Sequence, residues 1–404
     1  MTEPGPHLQR RLGLTDAVVV GLGSMIGAGI FAALAPAAAA AGSGLLIGLA
    51  VAAVVAYCNA NSSARLAARY PQSGGTYIYG RERLGRFWGY LAGWAFVVGK
   101  TASCAAMALT VGYYAWPAQA HAVAVAAVVA LTAVNYLGIQ KSALLTRVIV
   151  AVVLAVLAAV VVVVASSGHA DLARVHIGGD VGGVLRAAGL LFFAFAGYAR
   201  IATLGEEVRE PARTIPRAIP VALAITLVVY AVVAVAVLTV LGSDGLARAA
   251  APLADAVRAA GAPWFEPVVR IGATVAALGS LLALILGVSR TTLAMARDRH
   301  LPRALSAVHP RFGVPHRAEL AVGLVVAVLA ATADVRGAIG FSSFAVLVYY
   351  AIANASAWTL ARRAVPGAGM VGCLVLALSL PVTSVVAGAV VLGVGAAVYA
   401  ARRS

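Results

Sequence analysis

The stretch GLGSMIGAGIF, Gly21 to Phe31, carries four glycines inside an apolar segment that runs from Thr15 to Ala41. Unwinding a helix at that depth frees amides and carbonyls, each costing several kcal/mol unless something satisfies it. A break here leaves a half-helix beginning near Gly27–Gly29, whose amides and positive dipole end suit a carboxylate. Carbonyls freed on the other side suit an ammonium group. A second segment has the same character: LLFFAFAGYARIATLGEEV, Leu190 to Val208, places Gly197 in mid-span, Arg200 three residues later and the pair Glu206, Glu207 at its exit. Two broken helices together would cage a zwitterion. The competing reading is that these glycines allow tight helix packing. Gly23 and Gly27 fit the small-xxx-small spacing, whereas Phe193 and Ile201 flank Gly197 at four residues either side.

Two cations stand inside apolar spans, Lys100 and Arg200, and an ionisable residue at membrane depth costs at least about 2.5–3.5 kcal/mol. Lysine can release its proton and arginine does not, so Lys100 is the proton-coupling candidate. The blander reading of Lys100 is a side chain reaching a water-filled vestibule. Arg200 sits about one to two turns from the exit of its span, where reaching water or pairing with Glu206 and Glu207 explains it. Glu206 and Glu207 are either a solvated loop or an inner gate closing on a basic residue, with Arg10, Arg11 and Arg81 as candidate partners. Ser280 and Ser289 on the eighth span offer hydroxyls where a sodium site would need a carboxylate as well.

The elements that position these residues follow from hydropathy. The chain of 404 residues is 62% hydrophobic and 11% charged, with a mean hydropathy of +0.96, which excludes a soluble protein. Twelve apolar segments of about the length a spanning helix needs can be drawn, over 15–41, 44–68, 86–115, 121–139, 144–166, 185–205, 217–241, 267–295, 317–333, 337–361, 366–381 and 383–401. They are continuous rather than alternating, so the fold is an all-α polytopic membrane protein and not a β-barrel. The interrupted spans, the first and the sixth, open successive groups of five, the pattern of a transporter built on inverted repeats.

The net charge of +16 reports topology. With a cytoplasmic amino terminus, 22 of the 30 Lys and Arg fall on cytoplasmic ends and loops. This positive-inside bias places both termini in the cytoplasm and argues against a nucleic-acid partner. The bilayer is the partner that the composition implies. Cys58, Cys104 and Cys373 lie in three different spans with no metal spacing or disulfide framework. No hydrolytic constellation appears, and GSMIGAG lacks the Lys-Ser/Thr of a phosphate loop, so neither an enzyme nor a bound cofactor is expected. A channel would want an ordered ring of polar residues along several helices, and these spans are too uniformly apolar for one.

GLGSMIGAGIF resembles the first-helix motif of the amino acid–polyamine–organocation permeases. Four further stretches are similar to theirs: YPQSGGTYIYGRERLG (70–85), NYLGIQKSALLTR (135–147), FFAFAGYARIATLGEEVREPARTIPRAI (192–219) and SRTTLAMARDRHLPRALSAVHPRFGVP (289–315). The resemblance covers residues 12 to about 360, in order. It implies a leucine-transporter-type fold: two inverted five-helix repeats, 12–166 and 185–361, then two extra helices over 366–401, in one transporter domain. It also implies alternating-access transport of amino acids. Carried over by position, the substrate carboxylate meets the amides of Ala28 and Gly29 with Gly27 at the break. Its ammonium meets carbonyls of Met25, Ile26, Phe192, Phe193 and Ala196, and Phe195 is a gate over the substrate.

Three departures bear on substrate and coupling. Proton-coupled relatives carry a lysine in the fifth helix, near where Val153 stands here; Lys100 would stand in for it. The cationic-substrate branch carries an acid where Ala199 stands, and a third-helix glutamate near Gly99. The expectation is therefore a permease for a small neutral amino acid, coupled to protons or working by exchange, in the cytoplasmic (inner) membrane of a bacterium. An exporter and a polyamine or cationic amino acid permease are the alternatives within the family.

Overall fold

The computed structural model describes residues 12–70, 74–138, 143–175, 178–198, 201, 208–360 and 362–402. Arg10, Arg11, Arg200, Glu206 and Glu207 lie outside the described residues. Among the described residues there are helices and no strand, apart from an isolated parallel bridge between Leu12 and Val208. Ten helical stretches among them are long and apolar enough to cross a membrane.

Over its described residues, each of the twelve apolar segments is largely helix. The first span is Leu14–Met25, Ala28–Ala32 and Leu34–Ala41; then follow Leu45–Arg69, Arg86–Ala115, Ala120–Tyr136, Ala143–Ser166 and Val181–Phe195. The seventh to twelfth are Pro211–Arg248, Glu266–Arg297, His316–Thr332, Val335–Trp358, Ala364–Ser379 and Val382–Ala401. The ninth and eleventh, with 17 and 16 residues, reach about 24–26 Å, slightly short of the roughly 30 Å hydrocarbon core. Two loops of the hydropathy reading hold short helices instead: Thr76–Leu84 between the second and third spans, and Pro252–Ala259 between the seventh and eighth.

Local chemistry sets the ends. Asp180 accepts from the Gly183 amide at 2.8 Å and starts the sixth span. Asp334 accepts from the amides of Arg336 and Gly337 and starts the tenth. Side-chain oxygens there satisfy amides that a helix start leaves open. In the first span Pro36 has no amide to give Ala32, and the helix bends at Ala33. Gly42, with φ of +56°, turns the chain into the second span.

The first span is the axis of the bundle, packed on the fifth, sixth, seventh and eighth spans. The third packs on the eighth and tenth, and the fourth on the ninth. The terminal end of the bundle is closed by polar ties. Arg147 pairs with Asp16, the Arg209 amide donates to the Leu12 carbonyl at 2.8 Å, and Arg402 donates to the Arg299 carbonyl at 3.1 Å. At the same end Tyr77 of the short helix donates to Asp298 at 2.5 Å, and Arg81 reaches Asp298 at 3.1 Å. Burial, with the charge of Asp298, pushes the Tyr77 hydroxyl well above the usual phenol range. Arg81, one of the three expected partners of Glu206 and Glu207, is thus engaged by Asp298 and by Glu82. The turn RDRHLP works as a strut for the short helix.

Candidate functional site

The first span breaks where the glycines stand. Its α-helix stops at Met25, Ile26 turns out at φ −80°, ψ 60°, and helix resumes at Ala28 with Gly27 as its cap. The Gly27 amide folds back onto the Met25 carbonyl at 2.8 Å. Among the described residues no backbone amide closes on the Ile26 carbonyl, and the amides of Ala28 and Gly29 find no backbone acceptor. Donors therefore lie on one side of the break and an acceptor on the other.

Gly27 has a negative φ, −115°, so the backbone does not demand a left-handed residue there. What it needs is room. A Cβ on Gly27 would run into the Ser280 hydroxyl of the eighth span and lie 2.9 Å from the Ser280 Cβ. A Cβ on Gly29 would come within 2.7 Å of Ala194 on the sixth span. The glycines both mark the break and admit two neighbouring helices.

The sixth span loses α geometry next to this break. Its helix ends at Phe195, and Ala196–Tyr198 forms a 3-10 turn. A Cβ on Gly197 would collide with the Ser24 carbonyl and sit 2.7 Å from the Met25 nitrogen. The two interruptions thus meet backbone to backbone, with Phe192, Phe195 and Ala196 buried around them.

Tyr230 of the seventh span ties them together. Its hydroxyl lies 2.6 Å from the Met25 carbonyl and 3.2 Å from the Ala194 carbonyl, within reach to donate to either. Its ring packs on Phe195 at 5.4 Å between centroids. Thr226, one turn earlier, points its hydroxyl at the Met25 sulfur, 3.8 Å away. Sequence reasoning missed Tyr230. The available signal was a lone hydroxyl in the run LVVYAVVAV. Of the five carbonyls assigned to the ammonium, that of Met25 is the one already met twice, by Gly27 and Tyr230.

Phe195 sits wholly inside, against Tyr230. A different aromatic pair lies toward the end opposite the termini. Phe31 and Tyr114 meet edge to face at 5.6 Å, and the Tyr114 hydroxyl donates to the Phe31 carbonyl at 3.1 Å. They line a cavity of about 180 Å³ together with Thr110, Arg248, Asp334 and Arg336.

Lys100 is 7% exposed, and among the described residues it has no hydrogen-bond or ion-pair partner. It follows Gly99, which packs on Ala345 and Val346 of the tenth span, and one turn later Ser103 bonds Ser342 at 2.5 Å. The structure does not bring Lys100 into the set around Gly27. Of the two serines, Ser280 faces the break, with its hydroxyl 3.5 Å from the Gly23 carbonyl. Ser289 instead donates to the Ile285 carbonyl of its own helix at 2.8 Å.

A family model described as amino acid permease matches residues 12–401. An uncharacterized transporter of Mycobacterium tuberculosis (strain H37Rv) is 78% identical over 405 residues, covering 98% of this chain and 92% of its own. The branched-chain amino acid permease BcaP of Bacillus subtilis is 26% identical, covering 97% and 92%. The vacuolar cationic amino acid transporter 4 of Arabidopsis thaliana is 28% identical over 360 residues, covering 82% of this chain and 60% of its own.

Proposed function

The chain belongs to the amino acid permease family, multi-pass membrane transporters of amino acids, and we propose that it carries a small neutral amino acid by alternating access, driven by protons or by exchange. The observation that carries this reading is the meeting of two interrupted helices with opposite polarity at one point. The amides of Ala28 and Gly29 take the carboxylate, with Gly27 bare at the break. The carbonyls of Ile26, Phe192, Phe193 and Ala196 take the ammonium. The Met25 carbonyl joins only when Tyr230 lets go of it. A second copy of a five-helix unit, 185–361 after 12–166, would bring the two breaks together by symmetry, with 366–401 outside the repeat.

The side-chain space is small because Phe195, Tyr230 and Ser280 already crowd the break, which favours short substrates. The absence of acids at Ala199 and around Lys100 disfavours a cationic one. Phe195 serves as the gate nearest the substrate, and the Phe31–Tyr114 pair as the plug below the cavity at the opposite end. Arg200, Glu206 and Glu207 are assigned to the inner gate and Lys100 to proton transfer. The membrane is the cytoplasmic one with both termini inside, following the bias of basic residues.

The test is uptake by the purified chain in liposomes, against a panel of glycine, alanine, serine, valine, leucine, lysine and arginine. Saturable uptake or counterflow of the three shortest is expected. Preference for lysine or arginine would replace the substrate assignment, and no saturable flux of any member would sink the transport mechanism.

A further inference from the structure

Span nine brings into the bundle a carboxyl group that forms no ion pair among the described residues. Glu319 stands in the first turn of His316–Thr332, where an acid ordinarily reaches water and complements the helix N-terminus. Here the residue is 0% exposed, and among the described residues neither carboxylate oxygen has a hydrogen-bond partner.

The register of spans four and nine places it. At one end His121 Nδ1 lies 2.8 Å from the Ala330 carbonyl. In the middle a Cβ on Gly323 would come within 2.6 Å of the Thr132 hydroxyl. At the other end the rings of Tyr136 and His316 are 6.1 Å apart. Numbers rise on one helix as they fall on the other, so the pair is antiparallel. Glu319 lies between the second contact and the third. The Thr132 hydroxyl and His316 Nδ1 are also buried without partners among the described residues. One interface thus holds an unsatisfied acid, an unsatisfied hydroxyl and an unsatisfied imidazole nitrogen.

The surrounding helices carry groups that could pair with Glu319. They are His316 and Arg317 on its own helix, His121 and Tyr136 on span four, Lys100 and Cys104 on span three, Arg290 and Arg297 on span eight, and Arg303 on the adjoining 3-10 turn. Of these, Arg290 is within range to act on the carboxyl by its charge. Arg290 is exposed, and no ion pair to Glu319 forms among the described residues. An unpaired buried carboxylate is unstable by several kcal/mol and takes up a counter-charge instead. A metal ion would need more oxygens, and no group of three His, Cys, Asp or Glu side chains exists among the described residues. A proton needs only the carboxyl itself, which then becomes a donor as well as an acceptor.

We propose that Glu319 is a proton-binding site at the interface of spans four and nine, occupied in the packed arrangement seen here. It is a second protonatable centre, on a different helix from Lys100. The assignment stands apart from the substrate reading, because the proton can be observed without any transport.

Infrared spectroscopy of the purified full chain in detergent tests it. A carbonyl band of a protonated carboxylic acid is expected at neutral pH, lost on alkaline titration and missing in Glu319→Gln. Glu319→Asp should keep a band but move its frequency and its titration midpoint, which preserves the test if the Gln variant does not fold. Identical bands in the wild type and either variant would show that Glu319 is ionised and overturn the proposal. A band abolished by sodium at constant pH would overturn it in favour of a cation site.

Discussion

Tyr230 joins the two interrupted spans through one hydroxyl, and its removal has a calculable consequence. Replacing it with phenylalanine leaves the Ala194 carbonyl without that donor in a buried place, while the Met25 carbonyl keeps the Gly27 amide. An abandoned buried acceptor costs about 1–3 kcal/mol, so Tyr230→Phe is expected to lower Tm in detergent by several degrees. Thr226→Val is the comparison: its contact is a weak one to sulfur, and little change is expected. A Tyr230→Phe variant as stable as the wild type would show that the hydroxyl ties nothing. At this scale the sequence was legible wherever the signal was local. Glycines at 21, 23, 27 and 29 announced the break because they are neighbours in the chain. Tyr230 was invisible because its partner, Met25, is some two hundred residues away. Glu319 looked like an ordinary first-turn acid, since nothing local says that span four covers it.

The broken first span raises the question of why Gly27 is glycine. Packing accounts for it through Ser280, and ligand approach accounts for it through the bare Cα beside the Ala28 amide. A pair of variants separates the two. Gly27→Ala alone should lose both stability and uptake, since the new Cβ meets the serine side chain. Gly27→Ala with Ser280→Gly removes the obstacle, leaving the Ala276 carbonyl 3.7 Å away as the next neighbour. Tm should then return to near the wild-type value while uptake stays at least tenfold down. If uptake returns together with stability, the glycine serves packing alone. The elements themselves were legible from hydropathy because a spanning helix is a long apolar run. The helices Thr76–Leu84 and Pro252–Ala259 were not, being short and mixed in polarity, and they were expected as loops. What stabilises the first is tertiary: Tyr77 bonds Asp298 and the Thr76 amide bonds Tyr349.

At the scale of the whole molecule, basic residues crowd the ends of spans, and the described interior holds a lysine and a glutamate, Lys100 and Glu319, for which no ion pair forms among the described residues. Membrane burial of a charge costs enough that such groups persist where they have work to do, and work across a membrane is the natural candidate for a permease. Lys100 lies on the third span, which packs on the eighth and tenth, and it is assigned no part in holding the substrate. Its ammonium can lose a proton where a guanidinium would not. Lys100→Met keeps the length and the apolar stem and deletes the proton. In proteoliposomes with an inward proton gradient the wild type should accumulate substrate above the equilibrium level, and the variant should stop at equilibrium. Counterflow of labelled against unlabelled substrate should survive in the variant, since substrate binding and the conformational cycle remain. Loss of counterflow would place Lys100 in the structure or the substrate path. Accumulation that still tracks the pH gradient would take the coupling role from Lys100 and leave Glu319 as the group to test for it.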